Sequence, residues 1–168
     1  MGIVKDLSRD EAIAKLKELA EDIRTCMFCT GVKNLPFETR PMSTAEVDEQ
    51  GNFWFMSGSD SNKNYEIGAD NTVQLIYAKT ADLHFLSVAG EATIIRDREK
   101  TEDLWNIFAK AWFQEGKDDP NLTLIRVKPT HAYYWDTMHG KAVSLLKIAA
   151  SVVTGKTMDD GVEGTLNI

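Results

Sequence analysis

The sequence predicts a mainly β protein, an antiparallel barrel with peripheral helices, on three observations. Short segments rich in β-branched and aromatic residues follow one another along most of the chain, separated by turn-forming residues. The few helical segments do not alternate regularly with them, which argues against a doubly wound parallel sheet. No repeat divides the 168 residues, of which 43% are apolar and 27% charged, so we expect one domain.

The first element is an amphipathic helix. Ser8 and Glu11 form a capping-box pattern before an apolar stripe at helical spacing. The pattern predicts a helix that ends near Arg24. The stripe consists of Ile13, Leu16, Leu19, Ala20 and Ile23.

About six or seven mostly antiparallel strands should follow. The segments are 25–32, 37–47, 52–56, 72–77, 84–95 and 122–127, with extended character resuming at 132–135 after the break that Pro129 predicts. Residues 48–51 suggest a hairpin connection.

Three further helices are expected. One spans 62–69 after the small polar loop 57–61. Asp97 caps a second helix, with Leu104, Ile107, Phe108 and Ala111 on one face. Leu145, Ile148, Ala149 and Val152 predict a third. Residues 155–168 offer little to bury, so we expect a domain over 1–157 and a mobile tail over 158–168.

Composition and charge exclude several classes of function. The formal net charge of −7 would repel a nucleic-acid backbone, although it permits one phosphorylated small molecule. No segment approaches the roughly 18 apolar residues of a membrane span, and the first ten residues lack a signal-peptide pattern. We therefore expect a cytoplasmic protein without nucleic-acid or membrane partners.

The short motifs for dinucleotides, nucleoside triphosphates, ester hydrolysis and zinc proteolysis are absent. Cys26 and Cys29 form a C-x-x-C pair, which suits a redox pair or half a zinc site, but its extended context favours a structural role. The three histidines are scattered, so we predict no metal site.

A phosphate site is the main chemical candidate. Arg40, the loop 57–61 and Lys63 could surround a phosphate with helix amides, hydroxyls and positive charge. The alternative is a capped helix with solvated charges. Trp54, Trp105, Trp112, Trp135, Met42 and Met56 could line a planar cofactor or simply pack in the core. Trp112 and Trp135 lie near element ends, where a site role is more plausible than for Trp105.

The order of several segments resembles the pyridoxamine 5′-phosphate oxidase-like FMN-binding split-barrel proteins, and within them the bacterial general stress protein 26 branch. These segments are 40–44, 53–57, 61–63, 87–92, 104–105, 111–120 and 134–136, and the similarity covers nearly residues 8 to 157.

The resemblance implies a homodimer with FMN, or alternatively FAD, at the subunit interface. It implies phosphate contacts for Arg40 and Lys63. The implied cofactor-binding residues are Arg40, Pro41, Met42, Ser43, Met56, Ser57, Ser61, Asn62, Lys63, Trp112 and Trp135. Catalytic residues stay unknown.

Two departures argue against oxidation of vitamin B6. The oxidases place arginine where this chain has Asn62, and an Arg-x-His segment where it has residues 138–143. Three functions stay open: an FMN-dependent oxidoreductase acting on an unidentified small molecule, a non-catalytic flavin-binding stress-response protein that serves as sensor or store, and a haem-binding split barrel with His84 or His131 as ligand.

Overall fold

The computed structural model describes residues 3–113, 115–137, 146–147, 150–152 and 160–168. Within them the chain forms nine strands, four short or medium helices and a 3-10 turn, in the order β1 Ile3–Val4, α1 Arg9–Ile23, β2 Thr25–Thr30, β3 Glu38–Ser43, β4 Glu46–Val47, β5 Phe53–Gly58, α2 Asn62–Ala69, β6 Thr72–Lys79, β7 His84–Ile95, α3 Arg98–Leu104, α4 Ile107–Trp112, the 3-10 turn Gly116–Asp118, β8 Leu122–Thr137 and β9 Gly161–Leu166. Residues 146–147 and 150–152 are also helical.

The strands form one nine-stranded sheet that is antiparallel except for β1 beside β9. Its main path runs β1-β9-β8-β7-β6-β2-β3, and β8 also pairs with β5, which pairs with β4. β5 and β9 therefore flank different halves of the same long strand. This mainly β, mostly antiparallel architecture with peripheral helices confirms the predicted fold class.

The main hydrophobic core fills the interior of the barrel that the sheet forms, and α1 covers one side of this core. Leu16, Leu19 and Ala20 of the predicted helical stripe are buried there, together with Ala12. The capping box of Ser8 and Glu11 is present, and the helix ends at Ile23. A smaller cluster joins Trp54, Leu104, Phe113, Leu122 and Leu124 on the opposite face of β5 and β8. It attaches α3 and the end of α4 to the barrel.

Two predicted elements are divided in the structure. The strand expected over 37–47 is interrupted between Ser43 and Glu46. The helix expected after Asp97 is divided, because Trp105 has an extended ψ of 125°. The Asn106 side chain then accepts a hydrogen bond from the Ala109 amide and starts the next helix.

Pro129 does not end its strand, because β8 runs unbroken through it. The register between β7 and β8 shifts at Ala89/Gly90, opposite Pro129, where a missing N–H is tolerated. Gly90 is required at this point, since a Cβ there would lie 2.6 Å from the Lys128 carbonyl oxygen.

The tail predicted to be mobile over 158–168 instead contains β9. This strand pairs with β8 on one side and with β1 on the other, and Leu166 is buried in the main core. Gly164 allows the close approach, because a Cβ there would lie 2.1 Å from the Lys5 carbonyl oxygen. Of the predicted final helix, Val152 is helical, whereas Leu145, Ile148 and Ala149 lie outside the described residues.

Candidate functional site

The loop between β5 and α2 is held by a buried network of hydrogen bonds. The Ser57 hydroxyl donates to Oδ1 of Asn64 at 2.8 Å. The Asn64 amide nitrogen donates to the Thr123 hydroxyl at 3.0 Å, which in turn donates to the Ser57 carbonyl at 2.9 Å. Since buried polar groups of this kind are costly to leave unpaired, the network fixes the loop against β8.

The N-terminus of α2 is not capped by the residue in the capping position. Ser61 makes no capping hydrogen bond through its side chain, because its hydroxyl lies in the Ser57 and Asn64 network at 3.1 and 3.2 Å. The first helical amides belong to Asn62 and Lys63. A helix start of this kind presents donors and partial positive charge to an anion.

Arg40 reaches the same helix from the edge strand β3. It lies opposite Phe28 of β2. One guanidinium nitrogen donates to the Thr30 hydroxyl at 2.5 Å, and another to Glu66 Oε2 at 2.8 Å. The Thr30 hydroxyl also donates to Glu66 at 2.5 Å. These bonds hold the guanidinium in one orientation beside α2 while leaving some of its five donors for another acceptor.

Lys63 lies next to Arg40 as a second, half-buried cation. Among the described residues its ammonium makes no ion pair or hydrogen bond. Burial lowers the pKa of Lys63 below the ordinary lysine value, and the positive charge of Arg40 lowers it further, against the opposing charges of Asp60 and Glu66. Arg40 is paired with Glu66 at 2.8 Å, so Lys63 is the cation at this helix N-terminus whose charge an anion can neutralise.

We call this set of Arg40, Ser57, Ser61, Asn62 and Lys63 the anion corner. The structure brings these five predicted residues to one end of the barrel. Its hydroxyls, amides and cations match the donor set that binds a phosphate group.

The other predicted residues lie elsewhere. Met42 packs against the main core. Because side chains alternate along a strand, Pro41 and Ser43 point to the opposite, exposed side of β3. Met56 packs against the smaller cluster with Trp54 and Trp105. Trp112 projects from α4 with 84% of its surface exposed, and Trp135 from β8 with 41% exposed.

Trp135 borders a cleft of about 660 Å³. Ile76 and Phe85 contribute apolar walls, and Asp136, Asp160 and Glu163 contribute carboxylates. Asp136 is paired with Lys15 and Asp160 with Lys147, and the described lining residues include no lysine or arginine. The cleft therefore offers an aromatic and apolar surface and no cation for a phosphate group.

The remaining candidates from the sequence are the two cysteines and two of the histidines. Cys26 and Cys29 are free and buried on β2, and burial raises the pKa of the Cys26 thiol to about 12. Both ring nitrogens of His84 face carboxylates, Asp22 at 2.9 Å and Asp136 at 3.1 Å, which leaves no free nitrogen for haem iron. His131 is exposed on β8. Within the described residues no cluster of three metal-ligating side chains occurs.

Sequence reasoning missed the residues that support the corner. Glu66 and Thr30 orient Arg40, and Asn64 and Thr123 hold the loop. The spacing of Glu66 three residues after Lys63 places it near the same face of α2, which is a usable signal. Thr123 is 59 residues from Asn64 and gives no local signal.

The described part of the chain contains no helix long and apolar enough to cross a membrane.

Comparison with known proteins places this architecture in the split-barrel fold class. Residues 11–159 match the family model described as "Pyridoxamine 5'-phosphate oxidase like", and the chain belongs to that family. A protein assigned as a general stress protein 26 from Jannaschia sp. CCS1 superposes with a TM-score of 0.80 at 24% identity, over 94% of this chain and 99% of that one. The general stress FMN/FAD binding protein of Xanthomonas citri gives 0.65 at 25% identity, over 77% and 90%.

Two curated proteins are similar in sequence. Protein bli-3 of Neurospora crassa is 27% identical over 127 residues, which is 70% of this chain and 61% of that protein. General stress protein 26 of Bacillus subtilis is 38% identical over 45 residues, 27% of this chain and 31% of that protein. The matched part of this chain thus spans less than two thirds of either relative.

Proposed function

We propose that this protein binds FMN, with FAD as the alternative, and that the flavin phosphate occupies the anion corner. The observation that carries the proposal is Lys63, a half-buried cation beside a second cation at an uncapped helix start. The FMN/FAD binding named for the Xanthomonas citri relative points to the same ligand class.

The chain's own residues would bind and orient the cofactor. Arg40 and Lys63 would neutralise the phosphate, and the amides of Asn62 and Lys63 would donate to it. The Ser61 hydroxyl would donate to it after turning away from Asn64. Bound FMN would supply hydride or electron transfer. We therefore propose a flavin-dependent oxidoreductase acting on a small molecule, and not a pyridoxamine phosphate oxidase. Residues 138–143, on which that last expectation partly rests, lie outside the described residues.

A site built from two chains explains why the predicted residues are dispersed. Arg40 on β3 is four strands away from β8 through the register Arg40, Phe28, Leu75, Val88 and Ala132. At about 4.8 Å per strand, Trp135 lies roughly 20 Å from Arg40 along the sheet. We propose that Trp135 of a partner subunit completes the flavin site of a homodimer.

The outer face of the sheet supports this assembly. Residues in cross-strand register there include Pro41, Met27, Ile76, Ser87 and Tyr133. Met27 is 42% and Ile76 44% exposed. A mostly apolar row that crosses five strands, with Ser87 as its polar member, is the kind of surface that a second copy covers.

The ligand is tested by fluorescence titration of the purified protein with FMN, riboflavin, FAD and pyridoxal phosphate. We expect saturable FMN binding and no pyridoxal phosphate binding. Lys63→Ala should weaken FMN binding by about 1 to 3 kcal/mol and leave riboflavin binding, which involves no phosphate, unchanged. Lys17→Ala, on the exposed side of α1, is the matched control. Equal FMN affinity in Lys63→Ala and wild type would contradict the corner's role.

The two-chain site is tested by complementation between Lys63→Ala and Trp135→Ala chains. Each variant homodimer should bind FMN weakly. A mixed dimer should regain one intact site, because the Lys63 of one chain would meet the Trp135 of the other. Absence of recovery in verified mixed dimers would argue that both residues serve sites within one chain.

Turnover is tested separately, by following flavin reduction with NADH and NADPH under anaerobic conditions and reoxidation by candidate acceptors. Rapid reduction by one donor supports the oxidoreductase. If FMN binds tightly but no donor reduces it faster than free FMN, the non-catalytic flavin-binding function is favoured.

A further inference from the structure

A second cleft, of about 460 Å³, lies beside the start of α1, the hairpin between β4 and β5, and β8. Its charged lining consists of Arg9 at the start of α1, and Arg126 and Lys128 of β8. Gln50 and Asn52 border it from the hairpin between β4 and β5. Cations from α1 and β8 and two polar residues of the hairpin therefore surround one space.

None of these three cations has an ion-pair partner within the residues that the structure describes. The chain carries 19 basic and 26 acidic residues, so carboxylates are plentiful. Asp48 lies near the hairpin, but its carboxylate accepts hydrogen bonds from the Trp54 indole at 2.8 Å and from Asn52. Glu91 is opposite Lys128 in register yet makes no ion pair with it.

Ile168 closes one wall of the cleft. Its side chain and that of Ile13 approach Gly51 closely, where a Cβ would lie 3.2 Å from Ile13 and 3.6 Å from Ile168. Among the described residues that line the cleft, none is an aspartate or glutamate. Three cations without an acidic side chain give the lining a net positive charge.

We propose that this cleft binds a phosphate-bearing small molecule of the pyrophosphate type. Two guanidinium groups offer fork-shaped donors that match phosphate oxygens, and an ammonium adds a point charge. The surplus of positive charge favours a multiply charged oxyanion over a monocarboxylate. The volume lies within the usual range of small-ligand sites.

The cleft is separate from the anion corner. Leu122 of β8 is opposite Gly58, at the start of the corner loop, and Arg126 and Lys128 lie four and six residues further along. At about 3.3 Å per residue, this is roughly 13 to 20 Å. The second site consequently stands independently of flavin binding.

The test is isothermal titration with pyrophosphate at low ionic strength, in wild type and in the Lys63→Ala variant, which removes the competing corner. We expect one saturable event at this cleft in both. The double variant Arg126→Gln with Lys128→Gln, made in the Lys63→Ala background so that the corner does not compete, should weaken it at least about tenfold, and Lys17→Gln in the same background should leave it unchanged. Thermal melting verifies that each variant is folded.

Three results would overturn the proposal. They are no pyrophosphate binding by wild type, loss of all binding in Lys63→Ala, and unchanged affinity in the folded double variant. Citrate and inorganic phosphate serve as comparison ligands, and citrate binding as tight as pyrophosphate binding would overturn the assignment to phosphate.

Discussion

At the residue scale, Lys63 of the anion corner lowers the stability of the ligand-free protein, whereas we propose that it strengthens ligand binding. Lys63 is held half-buried next to Arg40, and the lowered pKa means that its charged form is disfavoured in the folded, ligand-free protein. The folded state therefore binds fewer protons at this group than the unfolded state does. The unfavourable contribution of Lys63 to the free energy of folding is present at neutral pH and is relieved as pH rises through the lowered pKa.

We accordingly expect Lys63→Gln to raise the melting temperature of the ligand-free protein by about 1 to 2 °C at neutral pH. The difference from wild type should shrink as pH rises through the lowered pKa of Lys63. Saturating FMN should reverse the order, because only wild type gains the phosphate contact. Differential scanning calorimetry with and without FMN measures both effects, and a destabilised ligand-free variant would contradict this account.

The cysteines give a second prediction at this scale. Cys26 is buried and its pKa is raised to about 12, so the thiolate is scarce near neutral pH. Neither Cys26 nor Cys29 should react appreciably with a thiol reagent such as dithionitrobenzoate in the native state, and both should react after unfolding in urea. Fast native-state modification of two thiols would restore the redox interpretation of the C-x-x-C pair.

At the element scale, the fold could be predicted where one local pattern determines an element. The Ser8 capping box marked α1, and α2 and β7 were predicted with their observed bounds. The errors have non-local causes. Pro129 stays within β8 because the register with β7 shifts opposite it, at Ala89/Gly90, and β9 forms because Gly164 fits beside Lys5. A single sequence does not show which distant backbone a glycine will meet.

The loop before α2 depends on Asn64, which is buried between β5 and β8. Asn64→Leu should lower the free energy of unfolding by about 1 to 3 kcal/mol, because Ser57 and Thr123 lose their partner. Asn62→Ala, at an exposed position two residues earlier in α2, is the control for stability. Urea unfolding measures both, and equal midpoints would mean that the network contributes nothing.

Strand β9 depends on Gly164 in the same way. Gly164→Ala would place a methyl group 2.1 Å from the Lys5 carbonyl oxygen, so β1 and β9 must separate. We expect faster amide hydrogen exchange over 161–166 and a loss of about 1 to 3 kcal/mol of stability. Gly68→Ala, where a Cβ meets nothing within 4 Å, should be neutral or slightly stabilising. Rapid exchange of 161–166 in wild type would instead support a mobile tail.

At the scale of the whole molecule, part of the candidate site could be predicted and part could not. The anion corner is nearly contiguous in sequence, so the loop, the helix start and Lys63 indicated it. Arg40 joins it through the pairing of β3 with β2. Trp135 faces outward on β8, four strands from β3, and Pro41 follows Arg40 on β3 but points to the opposite, exposed side of that strand. Their separation follows from the sheet register, and the function that we propose for them uses a second chain.

The dimer surface yields the last prediction. Ile76 lies at the centre of the apolar outer row, 44% exposed, between Met27 and Ser87. Ile76→Glu should leave the monomer folded, since the side chain points away from the core, but should place a desolvated charge in the proposed interface. We expect sedimentation analysis to show a shift from dimer to monomer, together with loss of FMN affinity. Ala14→Glu, on the exposed face of α1, adds the same charge elsewhere and should change neither. If Ile76→Glu remains dimeric and binds FMN normally, the outer row is not the interface; if it becomes monomeric yet binds FMN as tightly, the flavin site belongs to one chain.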